Sequence, residues 1–187
     1  MLDAEVSASR VERGDLVRGA GVGIGVAVVA VCLVNYGLGV ESVVAAAFVA
    51  VLTAISIVDV SERRIPNAIV LPAIGLTLAA VAALHPELLR ESALAGAIAF
   101  LFFFVPAVAM PHAIGMGDAK LALLIGVALG ADTLQALLVG SLLGGIAGGA
   151  VLISKGKEGR RTALPFGPFL AAGAVFALVA AGGSIYA

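Results

Sequence analysis

Charged side chains are scarce in this chain of 187 residues: they make up 12% of the sequence, whereas hydrophobic residues make up 61%. A soluble domain usually carries about 25% charged residues. Long apolar runs fill most of the sequence, and what remains is too short for a soluble domain of useful size. Because a helix needs about 20 apolar residues to cross the hydrocarbon core of a bilayer, the composition predicts an integral membrane protein whose main solvent is lipid.

Cysteine is almost absent. The single cysteine, Cys32, lies in an apolar run, which excludes an internal disulfide and any Cys-x-x-Cys zinc pattern. Only two histidines accompany it, so no set of Cys and His side chains is available to hold zinc. The net charge of −1 identifies no partner. We therefore expect no metal, no cofactor and no nucleic acid, and the bilayer itself is the first expected partner.

The apolar runs predict an all-α helix bundle with about seven transmembrane helices. A polar, cytoplasmic N-terminal segment at 1–18 is expected to precede a membrane domain at 19–187. The seven predicted segments are 19–36, 40–58, 68–84, 93–110, 119–131, 133–154 and 167–186. The fifth segment is short for the bilayer, so we expect it to begin or end inside the membrane. Asp132 is predicted to cap the sixth helix, with Gln135 completing a capping box.

The positions of lysine and arginine predict the orientation of these helices. With seven alternating helices, all but one of the eleven cationic residues fall on one side, and the exception is Arg90. The cations on that side are Arg10, Arg13, Arg18, Arg63, Arg64, Lys120, Lys155, Lys157, Arg160 and Arg161. By the positive-inside rule this side is cytoplasmic. The N-terminus is therefore expected inside the cell membrane and the C-terminus outside.

Three glycines repeat at four-residue spacing in the sixth segment, at Gly140, Gly144 and Gly148. Small residues at this spacing let a neighbouring helix approach closely. The pattern predicts tight packing within the fold in preference to a dimer interface, and the oligomeric state stays open.

Ionisable residues at membrane depth are costly and are therefore functional candidates. Asp59 follows the second segment and Asp118 opens the fifth, both on the predicted cytoplasmic side. Two adjacent carboxyls share one proton. The ionised carboxyl then takes a proton from water, while the other donates to the carbonyl under attack. Taken singly, Asp59 could be a solvated helix end and Asp118 an N-cap, but Gly115, Gly117 and Lys120 around Asp118 exceed what a cap needs.

These residues stand in three motifs that resemble the type IV prepilin peptidases, a family of aspartyl peptidases with a Gly-x-Gly-Asp motif. The first motif is Asp59 followed by Ile-Pro-Asn at 65–67, and the second is Gly-Met-Gly-Asp-Ala-Lys at 115–120. The third is Leu-Pro-Phe-Gly-Pro-Phe-Leu at 164–170. Gly-x-Gly-Asp alone is a weak signal, since presenilin-like proteases share it, but three motifs in order are specific.

The resemblance implies a membrane endopeptidase that removes the basic leader of prepilin-like substrates, which carry an apolar helix, at the cytoplasmic membrane face. It assigns Asp59 and Asp118 as the catalytic pair. It also implies a set of residues that shape the site or bind substrate: Pro66, Asn67, Gly115, Gly117, Lys120, Pro165, Phe166, Gly167 and Pro168. Many bacterial members also N-methylate their product and have a four-cysteine zinc domain. With one cysteine, this chain resembles the short, peptidase-only members.

Two other functions are compatible with the same residues. A small proton- or cation-coupled transporter or channel subunit would use the aspartates to bind ions, although an ion path favours carboxylates near the bilayer midplane. A non-enzymatic assembly subunit would make both aspartates dispensable caps.

Overall fold

The computed structural model describes residues 39–109, 115–156 and 164–181, together with helical positions 22–23, 26 and 29–30. The first predicted segment, at 19–36, therefore lies mostly outside the described residues, as do the last six residues of the chain and most of the cations used to predict the orientation. Within the described ranges the chain is helical and contains no strand, which agrees with the predicted all-α fold.

The described residues form six α-helices and two short 3-10 turns. The helices are α1 (Val40–Glu62), α2 (Asn67–Leu84), α3 (Leu89–Ala109), α4 (Met116–Leu129), α5 (Thr133–Lys155) and α6 (Gly167–Ala180). The 3-10 turns, Pro86–Leu88 and Gly130–Asp132, precede α3 and α5. The predicted segments from the second to the seventh correspond to α1–α6 in order.

Four stretches of the described chain are long and apolar enough to cross a bilayer. They are Val40–Glu62, Asn67–Leu84, Pro86–Ala109 and Met116–Ser154, the last of which contains α4 and nearly all of α5. Helix α6 is also apolar, but with 14 residues it is shorter than these four stretches. Large apolar side chains such as Leu76 and Ile98 are exposed on the outside of the bundle, as expected for a surface in contact with lipid. These observations support a membrane protein, but they do not confirm the predicted count of about seven spans.

Helix α4 forms the centre of the bundle. From Leu121 to Leu129 its side chains are buried on nearly all faces, and Leu121, Leu124 and Ile125 are fully enclosed. It packs most extensively on α3, and also on α2 and α6. The contact with α3 is close because two glycines face each other: a Cβ on Gly126 would lie 2.5 Å from the Cα of Gly96. A helix with apolar side chains on all of its faces is a buried helix. The other helices are therefore arranged around α4.

The glycine repeat in α5 forms the interface with α6, as predicted. A Cβ on Gly140 would lie 2.9 Å from the carbonyl oxygen of Phe169, and a Cβ on Gly144 would overlap the ring of Phe166. On α6, a Cβ on Gly173 would overlap the carbonyl oxygen of Ala136. The small residues therefore serve packing within one chain.

The predicted capping box at the start of α5 is wrong. Asp132 precedes Thr133 but makes no side-chain cap hydrogen bond. The Thr133 hydroxyl instead donates to the carbonyl oxygens of Gly130, at 2.6 Å, and of Gly126, at 3.4 Å. It thus satisfies carbonyls at the end of α4. The 3-10 turn holds Asp132 in helical backbone geometry, with φ −78° and ψ −2°, whereas a capping residue usually adopts extended geometry.

Candidate active site

Asp59 lies in the last turn of α1 and is only 5% exposed. The helix ends four residues later at Arg63, which adopts a left-handed conformation and donates its N–H to the carbonyl oxygen of Asp59 at 2.8 Å. The chain then turns through Ile65 and Pro66. Because the residue before a proline disfavours helical geometry, α2 starts afresh at Asn67, with the Pro66 carbonyl as its first acceptor. The first motif is therefore a helix end, a tight turn and a helix start.

Asp118 lies in the first turn of α4 and is half-buried. Its Oδ2 accepts a hydrogen bond from the N–H of Gly115 at 3.2 Å, and its own N–H donates to the Gly115 carbonyl at 3.1 Å. Asp118 is therefore not the N-cap that one alternative proposed: Gly115 holds that position, and Asp118, three residues later, binds its N–H. A Cβ on Gly115 would lie 3.1 Å from Asp118 Oδ2, so the first glycine of the motif leaves room for the carboxylate.

The first and second motifs meet at the same end of the bundle. A Cβ on Gly117 would lie 2.9 Å from the Cβ of Ile65, so the second glycine lets the start of α4 pack against the α1–α2 turn. The Lys120 ammonium donates to Asn67 Oδ1 at 2.7 Å. Asp118 directly follows Gly117, and Asp59 lies six residues before Ile65, so these contacts bring the two aspartates to the same end of the bundle.

The third motif brings the start of α6 to Asp59. Gly167 is the first residue of α6, and its N–H donates to Asp59 Oδ2 at 2.8 Å in a buried contact. Phe166, just before the helix, packs between Phe103 of α3 and Phe169, with ring centroids 6.0 and 6.4 Å away. Phe166 is therefore part of the packing that holds the third motif in place.

All the residues assigned to the site from the sequence belong to three segments that converge at one end of the helices. Asp59, Asp118 and Gly167 form its interior, and Lys120 with Asn67 lies at its edge. Pro165 and Pro168 are half-buried on either side of the Phe166–Gly167 step.

Ile65 and Gly144 were not among the predicted site residues, yet both hold the site in shape. Ile65 fills the space left by Gly117, and Gly144 admits the ring of Phe166. Ile65 stands inside the quoted Ile-Pro-Asn motif, so its position was a usable signal. Gly144 belongs to the glycine repeat, but its link to the third motif depends on how α5 and α6 align.

Each aspartate is held through one of its two carboxylate oxygens. In the described residues, each Oδ2 accepts a backbone N–H, whereas neither Oδ1 has a hydrogen-bond partner. Two carboxyls at one site are the groups required to take a proton from water and to give one to a carbonyl oxygen. The described residues contain no cluster of three His, Cys, Asp or Glu side chains that could hold a metal ion.

Comparison with known proteins identifies relatives. A family model for the type IV leader peptidase family matches residues 46–153, which include both aspartates. The chain is 34% identical over 145 residues to a prepilin leader peptidase/N-methyltransferase of Bacillus subtilis (strain 168), covering 77% of this chain and 58% of that protein. It is 32% identical over 144 residues to a protein of the same description from Pseudomonas putida, covering 73% of this chain and 49% of that protein.

The chain therefore spans 58% and 49% of the length of these two curated relatives. No solved structure matches it significantly. The family match covers more than half of the chain and contains the two motifs whose geometry is described above. This chain belongs to the type IV leader peptidase family.

Proposed function

We propose that this protein is a membrane aspartyl endopeptidase that removes the leader peptide of prepilin-like substrates, such as type IV pilins, Tad pilins or preflagellins. Asp59 and Asp118 form the catalytic pair and activate water between them, at the cytoplasmic face of the cell membrane. The observation that carries the proposal is the packing of the two aspartate motifs, at the end of α1 and the start of α4, against each other at one end of the bundle. The family membership supports the same reaction.

The mechanism assigns each carboxyl a part in one proton cycle. The ionised aspartate takes a proton from water, and the resulting hydroxide attacks the carbonyl carbon of the scissile peptide bond. The protonated aspartate donates to the carbonyl oxygen as the tetrahedral intermediate forms. Collapse of that intermediate breaks the C–N bond: the proton taken from water passes to the leaving amine, and one hydroxyl of the intermediate returns its proton to the second aspartate. The pair is then restored with one proton between its two carboxyls.

The reaction proposed for the aspartate pair is peptide-bond cleavage alone. The transporter alternative is not supported by the family match, nor by aspartates that lie at helix ends. We expect chelators to leave cleavage unchanged.

The test is co-expression with candidate prepilins, with leader removal scored by gel mobility and mass spectrometry. Asp59→Asn and Asp118→Asn should each abolish cleavage while the protein stays folded, because an amide cannot pass on the proton that the reaction moves. Residues that act as one unit are non-additive, so the double variant should be no worse than either single one.

Asp132→Asn is the matched control. This aspartate makes no cap bond and lies at the far end of α4 from Asp118, so the variant should process substrate like the wild type. Full leader removal by either Asp59→Asn or Asp118→Asn would contradict the proposal, because a single carboxyl cannot act as both acid and base.

A further inference from the structure

The start of α6 lies outside the residues matched by the family model, which end at 153. It nevertheless supplies the hydrogen bond that holds Asp59, from a residue 108 positions further along the chain. Asp59 is buried and its Oδ2 has this one partner among the described residues. The direction in which the carboxylate points therefore depends on where α6 begins.

The place where α6 begins is fixed by its packing on α5. The ring of Phe166 occupies the space that Gly144 leaves, and a Cβ on Gly140 would lie 3.0 Å from the Cα of Leu170. Close-packed backbones of this kind do not slide without opening gaps or overlaps. The packing of α6 on α5 therefore fixes the position of the Gly167 N–H relative to Asp59.

Position 167 has no room for a side chain. A Cβ there would lie 2.8 Å from Asp59 Oδ2, 3.3 Å from its Cγ and 3.4 Å from its Cβ. All three atoms belong to the Asp59 side chain, and the nearest is its far end. The overlap is relieved most cheaply by rotation of the carboxylate, since the backbones of α1 and α6 are packed and the carboxylate turns about two single bonds. A methyl group at 167 should thus move the carboxylate and leave the helices in place.

We infer that Gly167 is a positioning residue for the aspartate pair: its N–H orients Asp59 towards Asp118, and its missing side chain keeps that orientation accessible. This inference rests on the proposed peptidase function. It assigns to the third motif a part in aiming one carboxylate of the pair, in addition to packing.

The experiment compares Gly167→Ala with Gly145→Ala, both purified and assayed on a prepilin peptide in detergent. Gly145 lies on α5 with no atom within 4 Å of an added Cβ, so its variant should match the wild type. Gly167→Ala should lower kcat by about 10- to 100-fold, the range expected for a misplaced catalytic group. KM should change by no more than about twofold, because the residue acts on the carboxylate and not on substrate binding.

A merely structural role is tested by Gly140→Ala. The added methyl overlaps backbone atoms of α6 that cannot rotate away, so this variant should lower the unfolding temperature. If Gly167→Ala lowers that temperature as much as Gly140→Ala does, and loses activity only in proportion to the unfolded fraction, the inference is wrong. A wild-type unfolding temperature together with the lower kcat supports it.

Infrared difference spectra of protein labelled with [4-13C]aspartate give a readout that does not depend on activity. The Asp59 carboxyl band, identified as the band lost in Asp59→Asn, should shift in Gly167→Ala and stay in place in Gly145→Ala. An unshifted band with full activity would overturn the positioning role and leave the proposed function intact. Failure of the wild type to cleave any prepilin would contradict the proposed function itself.

Discussion

The hydrogen bond from Lys120 to Asn67 joins two side chains that are 53 positions apart in the sequence. It connects the first turn of α2 to the first turns of α4 and so closes one edge of the candidate site. The resemblance placed Lys120 among the residues that shape the site or bind substrate. In the structure its ammonium contacts Asn67, so it links the first and second motifs.

We predict that Lys120→Ala and Asn67→Ala each reduce the free energy of unfolding by about 0.5–1 kcal/mol, a small value because the contact is exposed to solvent. Since either change removes the same bond, the free energy of unfolding of the double variant should be no lower than that of the less stable single variant. Denaturant unfolding in detergent measures these values, and cleavage rates should fall less than for the Asn variants of the aspartates. Two single effects that simply add would show that the bond is not formed. Arg64→Ala, which removes an exposed ion pair with Glu62, is the control and should change little.

At the level of elements, the end of α1 is set by backbone geometry and not by hydropathy. The apolar run stops at 58, but the helix continues through Asp59 to Glu62 and ends where Arg63 adopts φ 53° and ψ 41°. Arg63 is the one non-glycine residue with positive φ among the described residues. Side chains disfavour this region by about 1–2 kcal/mol, and glycine is the usual residue at such a helix end.

Arg63→Gly should therefore stabilise the protein by about 1 kcal/mol and raise the unfolding temperature by about 2–4 °C, as expected for a chain of this size. Arg64→Gly is the matched control, because Arg64 does not have positive φ and glycine there only increases the freedom of the unfolded chain. Differential scanning fluorimetry in detergent compares the two. An equal fall in unfolding temperature for both variants would contradict the assignment of the left-handed position.

The same elements show how far the sequence reaches. Hydropathy located α1–α6, but it placed the start of α3 at 93, whereas the helix begins at Leu89 with Arg90 and Glu91 in its first turn. A search for apolar runs misses a first helical turn that contains charged residues. Within one motif the contacts are local, as between Gly115 and Asp118. The contact of Lys120 with Asn67 instead depends on the packing of α2 against α4. The bond from Gly167 to Asp59 was out of reach, since it depends on the packing of α6 against α5 over a separation of 108 residues.

At the scale of the whole molecule, the two ends of the bundle differ in chemistry. One end carries the aspartates, and the other carries His85 between Glu41 and Glu87, with ring nitrogen to carboxylate distances of 3.2 and 3.4 Å. The distribution of cations along the sequence predicts that the aspartate end faces the cytoplasm, the side on which we propose that the leader peptide is cut.

We predict that reporter fusions after Asn67 and Lys157 report a cytoplasmic location and that fusions after Pro86 and Ala187 report the outside. Paired phosphatase and fluorescent-protein reporters at each position give the measurement, since each is active on one side of the membrane only. An outside location at Asn67 would contradict the proposed orientation of the site. A cytoplasmic location at Ala187 would contradict the count of seven helices.

The central position of α4 also has a consequence for how the protein is made. With 14 residues it is about 21 Å long, less than the roughly 30 Å of the hydrocarbon core, and its faces are covered by other helices of the same chain. Such a helix gains little from contact with lipid alone, so it is poorly suited to independent release from the translocon into the bilayer. Helix α3 packs most closely on α4, because Gly96 faces Gly126. Integration of α3 and α4 as a preassembled hairpin would deliver Asp118 to the membrane already shielded, and the order of biogenesis would then be part of how the aspartate pair is assembled.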